Sequence, residues 1–373
     1  MNRIGIYVIY DKEKIIAPYV ENVLGELKKY LLRLIVICNF SEACNGYKNI
    51  SKWADEIYFR ENIGFDAGAY KDKLLQLAED GELDEFDELL IANDSFYGPI
   101  YPFFDLFSRM GKETCDFWGI TRYPGGTYEG VLIEAHIQSY FMVFKSPVFH
   151  DEAFYKFWEN LDYPLSFVEA VFRFEIEINK YLTEKGYVGK AYTDMEIPAY
   201  SIKYGENPYM KYPLQLIQYM KMPMIKRKAF DFENDGYSNA LDALNYIEEN
   251  TAYDVSLIRN HLIHTSTYIT SKPAYDLRKL KEFYHKYKNI YIYGAGGWGI
   301  NVAAYFKWKG WKFVGFLVSK SKNQNIAQNF DSIEVTNENG FIIAVGKKQI
   351  IREIHVNILK KYCEDHIFMP HFK

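Results

Sequence analysis

Four hydrophobic runs near the start of the chain have the pattern of buried strands: Ile4 to Tyr10, Leu34 to Asn39, Glu56 to Arg60 and Glu88 to Asn93. Apolar residues spaced three and four apart predict a helix from Ile15 to Leu31 and another from Ala69 to Glu79. Strands that alternate with helices form a parallel, doubly wound α/β sheet. Ligands of such sheets bind beyond the carboxyl ends of the strands, so the residues that follow each strand are the first candidates for a site.

The later part of the chain predicts a mixed region and then a second α/β unit. Residues 116–145 have the pattern of short strands around a glycine-rich turn, and residues 165–185 have the pattern of one helix. A strand at Asn289 to Tyr293 opens the second unit and is followed by a glycine-rich loop and a helix. We therefore predict a first domain over 1–265, a linker over 266–284 and a small Rossmann-like domain over 285–373.

Composition and charge exclude several classes of protein. With 49% hydrophobic and 25% charged residues, the chain is neither disordered nor fibrous. Its net charge of −5 argues against nucleic-acid binding. The four cysteines have no CxxC spacing, which argues against a zinc site or a disulfide framework. The N-terminus lacks a signal-peptide pattern, and we expect a cytoplasmic location, in solution or on the cytosolic face of a membrane.

The loop after the third predicted strand carries the most informative motif. Gly64 and Gly68 lie between a strand and a helix, where a bound group can approach the backbone and the helix N-terminus. Arg60, Asn62 and Asp66 add a cation, an amide and a carboxylate. This set suits the ribose and pyrophosphate of a nucleotide. A tight turn capped by Asn62 and Asp66 explains the same residues equally well.

The ends of the other strands add further polar groups. Tyr10 and Asn39 follow the first and second strands, and Asn93, Asp94 and Ser95 follow the fourth. A carboxylate in this place suits Mn²⁺ or Mg²⁺ shared with phosphates, which makes Asp94 the predicted metal ligand. The alternative is an Asx turn that leads into the following Gly-Pro pair.

A third group of polar and aromatic residues lies between 116 and 145. His136, Gln138 and Tyr140 alternate, so on one strand they would share a face. With Trp118 as a stacking platform, that face would suit the hydroxyl groups of an acceptor sugar. A half-buried strand with its polar side in water gives the same pattern.

These segments, together with those at 174–187 and 207–230, occur in the order found in the rhamnan synthesis protein F family, which the chain resembles over most of residues 1–230. The resemblance implies a GT-A-like doubly wound mixed sheet and a glycosyltransferase that uses a nucleotide-diphosphate sugar, typically dTDP-rhamnose. The acceptor would be a polysaccharide or a lipid-linked glycan. On this basis residues 1–100 form the nucleotide-sugar half and residues 101–265 the acceptor half. This chain departs from many GT-A enzymes in having one acid, Asp94, in the strand-end motif and Asn39 after the second strand.

The resemblance also implies the catalytic base. Glu175 matches the acid in the helix segment of the family, and a position beside an apolar face should raise its pKa by desolvation. The alternative is a surface glutamate that pairs with Asn179 or a nearby lysine. His136 is the second candidate base.

The glycine-rich loop of the second unit contains Gly294, Gly296 and Gly299 in GxGxxG spacing. The acid that would bind a ribose is missing after the next strand, where Ser319 and Lys320 stand instead. NAD is therefore not expected, and an accessory module that binds a nucleotide or nothing is favoured over a dehydrogenase.

Three functions follow from the sequence. The first is an inverting glycosyltransferase, the second a non-catalytic protein that binds a glycan or nucleotide sugar, and the third an NAD-linked sugar-modifying enzyme. Lysine and arginine residues interleaved with Tyr and Met over 203–228 suggest weak attachment to an anionic membrane. A core segment with snorkelling lysines is the alternative.

Overall fold

The computed structural model describes residues 1–40, 46–128, 131–194, 207–230, 238–265, 275, 277–319, 327–346 and 348–369. The chain divides into two compact units. The first comprises Met1–Ala229 and Asp242–Ile258, and the second comprises Phe230–Leu241 and Arg259–Lys373. Part of the predicted linker, 266–274 and 276, lies outside the described residues, as do Lys203, Tyr204 and Lys320.

The strands up to residue 226 are β1 (Arg3–Ile9), β2 (Arg33–Cys38), β3 (Glu56–Phe59), β4 (Glu88–Asn93), β5 (Phe96–Tyr97), β6 (Phe117–Gly119), β7 (Arg122–Tyr123), β8 (Gly126–Tyr128), β9 (Val131–Ile133), β10 (His136–Ile137), β11 (Phe141–Lys145), β12 (Gly189–Ala191) and β13 (Ile225–Lys226). The helices up to residue 265 are α1 (Pro18–Leu27), α2 (Tyr47–Ile50), α3 (Phe65–Glu79), α4 (Phe103–Met110), α5 (Ser146–Phe149), α6 (Glu152–Asn160), α7 (Phe167–Ala170), α8 (Glu177–Glu184), α9 (Pro208–Lys211), α10 (Pro213–Met220), α11 (Ala240–Asn250) and α12 (Ser256–Thr265). A π-helical segment, Val171–Ile176, joins α7 to α8, and a 3₁₀ turn covers Arg227–Phe230.

The first unit is built on a seven-stranded sheet in the order β12-β6-β11-β4-β1-β2-β3. Strands β1 to β4 pair in parallel, whereas β11 runs antiparallel to β4 and β6. The central strands are apolar except at their ends and are buried on both faces, as their sequence predicts. The sheet is therefore mixed and doubly wound, which confirms the predicted fold class.

Two predicted helices differ in detail from the observed ones. Helix α3 begins at Phe65, not Ala69, because Gly64 takes a left-handed conformation (φ +74°) and lets the chain turn directly into the helix. The single helix predicted over 165–185 is two α-helices with the π-helical segment between them. Such segments add a residue to a turn and change which side chains face the core.

The second unit holds a five-stranded parallel sheet in the order β16-β15-β14-β17-β18. Its elements are α13 (Leu277–Lys286), β14 (Asn289–Tyr293), α14 (Gly297–Trp308), β15 (Gly315–Val318), β16 (Gln328–Asn329), β17 (Asn339–Ile343), α15 (Lys348–Leu359) and β18 (Ile367–Phe368), with 3₁₀ turns at Phe330–Ser332 and Glu364–His366. A small Rossmann-like α/β unit thus follows the first sheet, as predicted. Helix α13 lies largely inside the stretch predicted as a linker.

The segment 207–230 is largely interior to the first unit. Most of its hydrophobic residues are buried, including Leu216, Met222 and Met224, while Tyr219 is 58% exposed. This burial favours the core interpretation of the segment over the membrane one. No helix in the described part of the chain is long and apolar enough to cross a bilayer.

Candidate functional site

The sheet topology brings the polar strand ends together. Strand β1 lies between β2 and β4, so Asn39 and Asn93 emerge at the same edge on either side of it. The Asp94 backbone N–H donates to Val8 O at 3.1 Å, and the Asn39 N–H donates to Ile9 O at 2.8 Å. Tyr10 follows β1 at this edge with its side chain 46% exposed. The strands therefore place the residues predicted for donor binding along one edge.

The loop that precedes α3 is held by hydrogen bonds among the side chains of Asn39, Arg60 and Asn62. The Asn39 amide donates to Asn62 Oδ1 at 3.1 Å and to Phe65 O at 2.9 Å, and Arg60 Nη1 donates to Asn39 Oδ1 at 2.9 Å. Arg60 Nη2 also donates to Ile63 O, which fixes the loop. Asn39 is 1% exposed and both of its polar atoms are engaged. These contacts give Asn39 a structural role, and its predicted contact with a ligand stays a prediction.

A second chain of contacts runs from α3 to β13. Asn93 Nδ2 donates to Asp66 Oδ2 at 2.6 Å, and Asn93 Oδ1 accepts from the Ser95 backbone N–H at 3.2 Å. Lys226 Nζ donates to Ser95 Oγ at 2.6 Å. Burial raises the pKa of the Asp66 carboxyl, although Asn93 and the Ala67 N–H oppose this by donating to it. Hydrogen bonds thus connect three residues predicted for donor binding to Lys226, which lies 131 positions after Ser95 in the chain.

Asp94 forms an ion pair with Arg227. Arg227 Nη1 lies 3.3 Å from Asp94 Oδ2 and 3.3 Å from the Asp94 carbonyl oxygen, and it donates to the Tyr19 hydroxyl at 3.1 Å. The Tyr19 hydroxyl in turn donates to the Asp94 carbonyl at 2.8 Å. Burial raises the pKa of Asp94 to about 6, against the lowering effect of Arg227 and the Tyr10 N–H. The carboxylate predicted to hold a metal therefore already has a cationic partner.

Lys226 is a buried cation, 8% exposed, at the centre of the edge. Its Nζ lies 3.9 Å from the centroid of the Tyr140 ring, in cation–π geometry. Burial lowers the pKa of Lys226 to about 7, although Glu175 and Asp66 raise it. The electrostatic influence of Glu175 on Lys226 links the donor edge to the predicted acceptor side.

The two predicted catalytic residues, His136 and Glu175, contact each other. His136 Nε2 lies 3.2 Å from Glu175 Oε1, and His136 Nδ1 lies 2.8 Å from the carbonyl oxygen of Glu134. The Glu134 carbonyl oxygen can only accept a hydrogen bond, so His136 Nδ1 donates to it, and Nε2 faces the carboxyl group of Glu175. The geometry thus gives His136 the role of orienting Glu175.

Contacts with His136 and Ser139 favour the ionised form of Glu175. Its Oε2 accepts from the Ser139 backbone N–H at 2.7 Å and from the Ser139 hydroxyl at 2.6 Å. Burial raises the pKa of Glu175, but the hydrogen bond and charge of His136 and the two Ser139 donors outweigh it and hold that pKa below its usual value. The expectation of a raised pKa was therefore wrong, because sequence spacing does not show these donors.

The residues predicted to bind the acceptor are buried. Trp118 is 1% exposed and packs against Phe107 and Phe141, so its ring has no free face for a sugar and belongs to the core. Gln138 and Tyr140 share the hydroxyl group of Thr121, at 3.0 and 2.9 Å. They lie after β10, not within it, and do not form an open strand face with His136. Tyr140 instead supports the site from below by contacting Lys226.

A cavity of about 370 Å³ lies beside His136, between β10 and α8. Its polar lining includes Arg122, Glu134, Asn179 and Lys180. These side chains offer donors and acceptors suited to sugar hydroxyl groups. Of all the residues that line this cavity, the sequence indicated only His136 as a site residue.

Comparison with known proteins identifies the family. The model of the rhamnan synthesis protein F family matches residues 34–289. The chain belongs to this family. An uncharacterized protein, y4gN, of Sinorhizobium fredii is 27% identical over 135 residues, which are 35% of this chain and 33% of that protein. The chain thus spans about a third of the length of that curated relative.

Two solved structures are similar to this chain at a low level. A 4-diphosphocytidyl-2C-methyl-D-erythritol synthase is 15% identical and covers 58% of this chain and 98% of its own, with a TM-score of 0.34. A cytidylyltransferase from Leptospira borgpetersenii is 14% identical and covers 69% of this chain and 97% of its own, with a TM-score of 0.31.

In this member of the rhamnan synthesis protein F family, sequence analysis missed Lys226 and Arg227 as site residues. Both were assigned to a possible membrane segment, because neither follows a strand of the large sheet. The available signal was their place in the segment that resembles the family, where two adjacent cations end a hydrophobic stretch. Only the pairing of β13 with β5 brings them to Asp94 and Ser95.

The glycine-rich loop of the second unit has a packing reason for its glycines. Gly294 has φ +125°, and a Cβ on Gly299 would lie 1.8 Å from Gly294 O. Gly296 precedes α14 as its N-cap and has open space around it. After β15, Ser319 Oγ contacts Tyr293 OH at 3.0 Å. The close packing of turn and helix explains Gly294 and Gly299 without a ligand, and nucleotide binding by this loop stays a prediction.

Proposed function

We propose that the chain is an inverting glycosyltransferase that moves a sugar from a nucleotide diphosphate to a growing cell-surface polysaccharide. Rhamnose from dTDP-rhamnose is the favoured donor, since the family is named for the synthesis of rhamnan. The acceptor is a polysaccharide or a lipid-linked glycan. The observation that carries the proposal is one polar edge, on which Arg227 pairs with Asp94 and Lys226 contacts Ser95 and lies within electrostatic range of an ionised Glu175.

Glu175 is the proposed base of this reaction. The acceptor hydroxyl oxygen attacks the anomeric carbon while its proton passes to Glu175. The low pKa keeps Glu175 ionised at neutral pH, so every molecule has the base in its active form. His136 and Ser139 hold the carboxylate in place, which makes them positioning residues. This arrangement satisfies the first requirement of general-base catalysis, an oriented and ionised acceptor of protons.

The cavity beside His136 is the proposed entry site for the acceptor. It lies on the Glu175 side of the unit and is lined by residues of β10 and α8, the elements that hold His136 and follow Glu175. A glycan in this cavity would bring a hydroxyl group towards His136 and Glu175.

The decisive experiment is a transfer assay with dTDP-rhamnose and other nucleotide sugars against glycan acceptors, in Mn²⁺ and in EDTA. We expect wild-type turnover with at least one donor and a loss of about 10² to 10⁴-fold in kcat for Glu175→Gln. Glu177→Gln is the matched control, because Glu177 is an exposed glutamate two residues away. Tight donor binding without hydrolysis or transfer for any acceptor would instead support the non-catalytic binding protein.

A further inference from the structure

Backbone pairing places two cations, Lys226 and Arg227, at the sheet edge where the chain leaves β4. Strand β13 pairs antiparallel with β5, with Lys226 opposite Phe96, and the Arg227 backbone N–H donates to Ser95 O at 3.0 Å. This pairing fixes both residues against the chain that leaves β4. Each residue is thus held at its backbone by these pairings. Its charged group is held by the polar partners of the side chain.

The two cations differ in how their charge is balanced. Arg227 has a carboxylate partner in Asp94. Lys226 has a hydroxyl group, Ser95 Oγ, and an aromatic face, Tyr140, and none of the ion pairs found within the described residues includes it. A buried ammonium group without a directly bound carboxylate is costly unless an anion completes its surroundings.

An anion can reach this place from the surface. Asn93, Ser95 and Asp66 are half-buried, and the Arg227 side chain is 27% exposed. Of Ser95 and Tyr140, which Lys226 contacts, Ser95 is half-buried and Tyr140 is buried, so Ser95 is on the more open side. The edge thus offers a partly open approach that ends at two fixed cations.

The same residues do not fit a divalent metal ion. Mn²⁺ and Mg²⁺ require several oxygen ligands, usually including one or two carboxylates with free lone pairs. Asp94 is the single acid of the strand-end motif, and it accepts from Arg227 and from the Tyr10 N–H. Asn93 Oδ1 is taken by Ser95. Within the described part of the chain, no three acids, histidines or cysteines come together in a metal-binding group.

We propose that Lys226 and Arg227 bind and neutralise the diphosphate of the nucleotide sugar in place of a divalent metal ion. This inference rests on the proposed function. As the bond between the anomeric carbon and the diphosphate oxygen breaks, its electron pair goes to that oxygen, and the new charge lies against the two cations. The acceptor oxygen forms the new bond to the anomeric carbon, and its proton goes to Glu175. Atoms and charge balance without a further reactant.

The test is calorimetric titration of the full chain with dTDP, before and after removal of metal with EDTA, together with transfer assays under the same conditions. We expect equal dTDP affinity in EDTA and in Mn²⁺, and turnover that changes by less than about twofold. Lys226→Gln should weaken dTDP binding by about tenfold or more, since a charged contact is lost. Lys226→Arg should retain most of it.

Lys221→Gln is the control, since it removes the same charge from an exposed position five residues away. Thermal unfolding of each variant checks that the fold is intact. Loss of dTDP binding and turnover in EDTA, restored by Mn²⁺, would overturn this inference and leave the glycosyltransferase proposal standing. Retention of full dTDP affinity in a folded Lys226→Gln would overturn it as well. An absence of both nucleotide binding and transfer under all conditions would instead refute the proposed function.

Discussion

At the scale of single residues, the protein keeps an ionisable amine, Lys226, where charge is unfavourable. Lys226 is surrounded by Ser95 and Tyr140, with Glu175 and Asp66 near enough to raise its pKa but not to neutralise it by contact. Core packing alone would favour an apolar residue here. Sites that bind a charged ligand often sacrifice stability in this way.

This conflict predicts a stabilising substitution. The folded-state pKa of Lys226 is about 7, whereas an unfolded lysine titrates near pH 10.4. Between these values the unfolded chain binds more protons, so the free energy of unfolding should rise with pH from about 7 to 10. Lys226→Met removes the titrating amine, so the free energy of unfolding of this variant should not show the rise with pH. At pH 7 the variant should be more stable than wild type by on the order of 2 kcal/mol. It should bind dTDP poorly.

Urea denaturation at pH 7 and pH 9 measures the effect. Lys221→Met, at an exposed lysine, should match wild type at both values. A Lys226→Met variant that is less stable than wild type at pH 7 would show that the ammonium group is a net stabilising part of the core.

At the scale of secondary-structure elements, Glu175 lies in the π-helical segment, and Asn179 connects this segment to β10. Asn179, one turn further on, accepts from the Ile137 N–H at 2.9 Å and donates to Ile137 O at 2.8 Å. Its amide also donates to the Glu175 carbonyl at 2.8 Å. Asn179 thus ties β10 to the helix and holds His136 against Glu175.

Removal of this tie should affect both stability and catalysis. Asn179→Leu leaves the buried N–H and carbonyl of Ile137 without partners, and we expect a loss of about 2 to 4 kcal/mol in unfolding free energy. Because His136 and Glu175 lose their alignment, kcat should fall more than the donor KM changes. Asn160→Leu is the control, since Asn160 is exposed at the end of α6. An equal loss in both variants would mean that the effect is a general helix effect.

The cavity between β10 and α8 gives a second prediction at this scale. Lys180 is exposed and lines it, so Lys180→Trp should fill part of the space without disturbing the core. The acceptor KM should rise severalfold, and the donor KM should stay within about twofold. Steady-state kinetics with one substrate varied at a time measures both. A rise in the donor KM alone would place the donor, not the acceptor, at this cavity.

At the scale of the whole molecule, two α/β units each present a glycine-containing turn after a strand, with different chemistry. In the first unit the edge carries Asp66, Asp94 and two cations. In the second, Gly294 and Gly299 serve a close backbone contact, and no acid follows β15 at Ser319.

We therefore expect the whole chain not to bind a nicotinamide dinucleotide. Titration of NADH, followed by its fluorescence, should give no saturable signal at micromolar concentrations, because the ribose lacks its usual carboxylate partner. The same chain should bind dTDP in parallel, which controls for its folding. Saturable NADH binding would restore the interpretation as an NAD-linked enzyme.

The sequence by itself determined the order of strands and helices and the class of fold. Apolar, β-branched strands that alternate with helices are buried between layers of those helices, so their pattern predicts a doubly wound sheet without knowledge of contacts. It also placed Asp66, Asn93 and Asp94 at one edge, since parallel strands end on the same side. The resemblance to the family rested on ordered segments and was confirmed.

Only the tertiary structure decided what these groups do to one another. The cationic partners of Asp94 and Ser95 come from positions more than 130 residues away, through a two-residue strand too short to have a periodic signal. The pKa of Glu175 depends on donors from Ser139 and His136, and the burial of Trp118 depends on α4 packing behind it. Spacing along a chain gives the face on which a side chain lies, whereas charge balance and desolvation depend on the atoms that surround it in three dimensions.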